Sequence, residues 1–148
     1  VDTITLESFC EENKIRAIDF LKIDTEGYDY FVLKGLPWHL INPTIILCEF
    51  ENFKTIPLGY DYHDIAKYLL KYGYKVIVSE WYPIVKYGGP HKWRRHEKYP
   101  CELEDNMGWG NLIATKDEEI YKDLISLCEK FKNRTTLWEK INRHYFNQ

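Results

Sequence analysis

The chain has 148 residues, of which 45% are hydrophobic and 29% charged, and its net charge is -3. That is one domain's worth of chain, enough to bury most of the surface its unfolded form exposes. The acidic balance argues against a general nucleic-acid binder, and no apolar run reaches the roughly 18 residues of a membrane span.

The opening TLESFCEEN predicts a short helix with Thr5 as N-cap and Leu6, Phe9 and Cys10 on one face. A strand is expected over residues 17–23, and a helix over 28–34 that stops at Gly35. Pro37 and Asn42-Pro43 punctuate a turn before a second apolar run at 44–50, which reads as a fully buried strand. Asp61 caps a helix with an inward stripe of Ile65, Ala66, Leu69 and Leu70, ended by Gly73. Strands are expected at 74–80 and 111–115. Asp117 then opens a helix that Lys130 and Lys132 close in keeping with the helix dipole, and a last short helix is expected over 137–145.

Alternating strands and helices with continuous apolar strands predict an α/β domain, a parallel sheet covered on both faces. The segment 81–109 is too long for an ordinary turn and carries Pro83, Gly88-Gly89-Pro90 and Pro100, so a lid or binding segment is expected there. The four cysteines show no CxxC spacing and read as free thiols of a reducing, cytoplasmic compartment.

Two constellations carry possible chemistry. Asp24 and Glu26 end the first strand, and Glu49, Glu51 and Asn52 end the second. As parallel neighbours, the two strand ends bring carboxylates to face each other across one crevice. One of them is then raised in pKa, or a cation or substrate hydroxyl is shared between them. The plainer reading has Asp24 capping the following helix, Glu26 favouring its first turn and Glu49 pairing with Lys22. The second constellation runs from Lys86 to Lys98, with five Lys/Arg against one Glu. Arg94 and Arg95 there suit a phosphate or carboxylate, Trp81 and Trp93 a stacked ring, and His91 or His96 a base near neutral pH. A solvated basic loop stapled by its tryptophans is the alternative. His91, His96 and Cys101 lack the paired spacing of a zinc site.

The runs Val1-Asp2-Thr3-Ile4-Thr5-Leu6, IDFLKIDTEGYDYFVLKG and PTIILCEFEN resemble the FkbM-type methyltransferases over the first half of the chain, and WGNLIATK fits the end of such a fold. The resemblance implies a Rossmann-like methyltransferase sheet whose last strand runs antiparallel. It implies S-adenosylmethionine as cofactor, and methylation of a hydroxyl on a sugar, glycan or secondary metabolite. Asp24 falls at the strand end bordering methyl transfer, with Thr25 beside it toward the cofactor. Glu26 and Gly27 complete the motif, Asp29 is its further acid, and Glu49 is the acid of the next strand end. Asp24 is expected to position or deprotonate the acceptor, with Glu26 and Glu49 assisting or holding a divalent cation.

The eight glycines supply no GxGxG after a strand. The chain therefore matches the C-terminal half of such a domain, and a partner chain, self-association or a further N-terminal segment is expected to complete it. The competing expectations are a non-catalytic α/β remnant, and a glycan-binding or interaction module built on the tryptophan segment.

Overall fold

The computed structural model describes residues 3–84 and 91–145, with side chains through Lys132. Lys86 to Pro90, part of the basic segment, lies outside the described residues. Five strands form one mixed sheet: β1 (Phe20–Ile23), β2 (Ile45–Glu51), β3 (Lys75–Trp81), β4 (Trp93–Lys98) and β5 (Trp109–Thr115). The order is β1-β2-β5-β3-β4. β1 and β2 are parallel, while β5 runs antiparallel to both of its neighbours, β2 and β3.

Helix α1 (Leu6–Glu12) is N-capped by Thr5, whose side chain accepts from the Ser8 amide. Helix α2 (Asp29–Lys34) follows β1, and a short α3 (Asn52–Thr55) follows β2 directly. Asp61 caps α4 (Tyr62–Lys71) through a capping box with Asp64. Ile23, Leu33, Ile46, Cys48, Phe50, Ile65, Leu69, Tyr74, Val76, Leu112 and Ala114 close the core between the sheet and the α2–α4 side. Gly110 is required by packing between strands: a Cβ there would sit 2.0 Å from the Ser79 carbonyl oxygen and 3.0 Å from the Phe50 ring.

Four expectations are corrected. Segment 81–109 is not simply a lid, because residues 93–98 pair with β3 in an antiparallel hairpin. Its charged sequence W-R-R-H-E-K suits an edge strand, whose side chains meet polar partners and solvent. The expected break before residue 137 does not occur. Helix α5 runs continuously over Glu118–Tyr145, and no Gly or Pro interrupts it. Among the described residues the sheet is not covered evenly on both faces, because α5 packs on β4 and β5 while the same face of β1 and β2 stays partly exposed. Phe20 is 54% exposed there, and β2 alternates buried with half-buried positions. Finally, β1 starts at Phe20 rather than residue 17, with Thr44 and Ile45 amides bonding back to Ile18 and Asp19.

No described helix is long and apolar enough to cross a membrane. Cys10, Cys48, Cys101 and Cys128 are all unpaired thiols.

Candidate active site

Ile23 is in register with Cys48, so the next residues along, Asp24 and Glu49, stand side by side at the carboxyl ends of β1 and β2. Crevices outside the carboxyl ends of parallel strands are where open α/β sheets bind ligands. Burial, then the neighbouring Asp24 charge, push the Glu49 carboxyl up to about 7. Asp24 is held below the ordinary carboxylate range, chiefly by Lys22, whose ammonium lies 2.6 Å away. The pair divides its roles by environment, one acid kept ionised by a cation and the other made basic by partial burial.

The turn after β1 is built to place these groups. Glu26 has φ 55 and Gly27 φ 98, two successive left-handed residues, of which only the glycine adopts this without strain. Asp29, 1% exposed, secures the turn with both oxygens, accepting from the Thr25 amide at 3.1 Å and the Gly27 amide at 3.2 Å. Tyr60 donates to the Gly27 carbonyl at 2.5 Å, tying the turn to the segment after β2. Thus Asp29, not Asp24, organises the entry to α2. Burial raises its carboxyl, against the lowering effect of the amides it accepts from.

The third expected acid behaves differently. The Glu26 side chain is 71% exposed and paired with Lys54, which also reaches Glu51 at 2.6 Å. It points away from proton transfer and toward solvent. No group of three or more His, Cys, Asp or Glu suited to hold a metal occurs among the described residues.

The residues expected to select a substrate lie elsewhere along the sheet. Strand β4 stands three strands from β2, roughly 14 Å across. Arg94 and Arg95 are engaged with Glu80, at 2.9 and 2.8 Å. Glu80 is 1% exposed and also accepts from the Glu104 and Asp105 amides. Burial alone would raise its carboxyl, but these four donors outweigh that and lower it. The arginines therefore fix the loop before β5 to the end of β3. Glu80 escaped the sequence reading although its signal, an acid ending the apolar run V-I-V-S, matches that of Asp24 and Glu49.

The aromatic members are nearer to the crevice's face. Trp81 packs against Trp109 with ring centroids 5.6 Å apart, and His91 meets the Trp109 edge at 5.2 Å. Trp93 donates to Ser79 Oγ at 3.0 Å, and His96 stacks on it while its Nε2 lies 3.3 Å from Glu129. Across the sheet on this face, Glu49 opposes Asn111, Asn111 opposes Ser79, and Ser79 opposes His96. The acids and the tryptophans thus share one face at one end of the sheet.

No curated protein and no solved structure shows a significant match to the chain. A family model, the methyltransferase FkbM domain, matches residues 1–76. That span takes in β1, its turn, β2 and α4, and therefore both acids of the crevice. The chain belongs to the FkbM methyltransferase domain family.

Proposed function

We propose that this chain forms the acceptor side of an O-methyltransferase, which places a methyl group on a hydroxyl oxygen while Glu49 takes the hydroxyl proton. The single observation that carries the reading is the Asp24–Glu49 pair, set side by side at the ends of β1 and β2, where burial and the Asp24 charge push the Glu49 carboxyl up to about 7. A general base works best when its pKa lies near the operating pH, and a strand end holds it stiffly. Asp24 serves as the positioning charge that keeps Glu49 basic, and Lys22 keeps Asp24 ionised. This assigns proton removal to Glu49 rather than to Asp24, and leaves Glu26 as a surface partner of Lys54.

The sheet supports the fold reading. The three strands β1, β2 and β3 share a direction, with antiparallel β5 inserted between β2 and β3, as in the C-terminal half of a Rossmann-like methyltransferase sheet. S-adenosylmethionine is the methyl donor this family implies. The described residues do not fit it. Asp24 is committed to Lys22, the Thr25 amide to Asp29, and no GxGxG turn follows a strand. Its cradle is not among the described residues, and β1 offers an open strand edge beside exposed Phe20 where a further strand would add.

The lack of a cofactor cradle among the described residues favours a second reading, a module that binds a hydroxyl compound without modifying it. Incubation with methyl-labelled S-adenosylmethionine and a panel of hydroxyl compounds separates the two. The proposal expects label in a methyl ether and at least a hundredfold loss in Glu49→Gln. Label on nitrogen or sulfur, or none on any acceptor, overturns it.

A further inference from the structure

Beneath α5, on the same face as Glu49, lies a cavity of about 650 Å³ that the acid pair does not account for. Its apolar walls are Trp81, Trp93, Ile113, Leu124, Leu127 and Phe131. We propose that this cavity receives the flat, apolar body of the hydroxyl-bearing acceptor, with the hydroxyl delivered to Glu49. The proposal deepens the methyltransferase reading and rests on it for the hydroxyl end.

Three observations support it. The volume falls in the range of small-molecule sites, which are mostly apolar with a few placed polar groups. The aromatic wall is held in place, since Trp93 is fixed by Ser79 Oγ at 3.0 Å, by His96 stacked at an 8° interplanar angle, and by the Phe131 edge at 5.2 Å. Lastly, the register places cavity and acids in rows. Glu49, Asn111 and Ser79 are successive cross-strand partners, as are Glu51, Trp109 and Trp81. Two strand spacings, roughly 10 Å, separate the acid from the cavity wall, and Asn111 lies between them as a polar guide.

The lining also selects against sugars. Besides Ser79 Oγ, which already accepts from Trp93, the described lining offers only the Cys128 thiol and the Lys130 ammonium, too few groups to pair with the several hydroxyls of a sugar. Burying hydroxyls unpaired is costly. A two-ring aromatic with one terminal hydroxyl meets the geometry, being about the length of the row and apolar except at one end.

Binding of 4-phenylphenol, 4-methoxybiphenyl and methyl β-glucoside, followed by tryptophan fluorescence and calorimetry, tests this directly. The expected result is saturable binding of 4-phenylphenol, about tenfold weaker for the methoxy analogue, and none for the glucoside. Leu124→Trp, which fills the cavity, should weaken 4-phenylphenol at least tenfold, and Glu49→Gln should erase the preference for the free hydroxyl. Circular dichroism checks the Leu124→Trp fold, and Cys128→Phe replaces that variant if it fails. Undiminished binding in a folded cavity-filled variant overturns the proposal. Glu49-dependent methylation of the glucoside without binding of 4-phenylphenol overturns the cavity and leaves the reaction standing. Binding that follows the expected pattern, with no methyl transfer to any hydroxyl, upholds the cavity and overturns the reaction.

Discussion

Removing the Asp24 charge should change both how Glu49 titrates and how the fold responds to pH. Displacing Glu49 from 4.5 to about 7 corresponds to about 3 kcal/mol of differential stabilisation of its neutral form. Glu49 is only half-buried, so solvent screening reduces the contribution to folding to about 1–2 kcal/mol. The sign follows from proton counting. Between pH 4.5 and 7 the folded chain keeps a proton on Glu49 that the unfolded chain releases, so stability falls as pH rises through that window. Burial is the larger cause of the displacement and Asp24 the next. Asp24→Asn should therefore lower the Glu49 midpoint by about 1 pH unit without restoring 4.5. The assay is a carbon-detected NMR titration of the glutamate carboxyls in both proteins, with urea unfolding at pH 5 and 7.5. Glu49→Gln should remove the stability difference between those two pH values. A wild-type Glu49 midpoint near 4.5, or one that Asp24→Asn leaves unmoved, would refute the reasoning.

Other perturbations probe the frame around the pair. Glu80→Gln removes a buried charge from two arginines and should cost about 3–5 kcal/mol in urea unfolding; because that carboxyl is lowered in the fold, the variant should also lose the stability wild type gains as pH rises through the acid range up to 4.5. Asp29→Asn leaves one of the Thr25 and Gly27 amides without its carboxylate oxygen and should cost about 1–3 kcal/mol by thermal or urea unfolding. Gly27→Ala forces an L side chain to φ 98, costing about 1–2 kcal/mol and misplacing the strand-end acids, seen as a fall in the Glu49 midpoint.

The strand-end acids were legible because an apolar run that stops on a carboxylate is a local signal, and because parallel neighbours in register bring such ends together. The division of roles was not legible. It depends on Lys22 choosing Asp24 rather than Glu49, which only the side-chain geometry at the strand end decides. Strand β4 escaped because W-R-R-H-E-K has no apolar alternation, and its arginines find their partner, Glu80, across the hairpin. Lys130 and Lys132 suggested a helix end, yet without Gly or Pro beyond them the helix continues. The half-open face of β1 and β2 had no sequence signal either, since their apolar runs are the same whether or not α5 lands on them. Gly108-Trp109-Gly110 gave no cofactor turn, and Gly110 instead lets β5 pack closely against Ser79 and Phe50.

The pH dependence of methyl transfer to a hydroxyl acceptor tests the central claim most directly, measured for wild type and Glu49→Gln at saturating S-adenosylmethionine. The account predicts a rate that rises with pH to a plateau with a midpoint near 7 in wild type, and a loss of at least a hundredfold in Glu49→Gln. Equal rates in the two proteins, or a profile flat between pH 5 and 9, would contradict it.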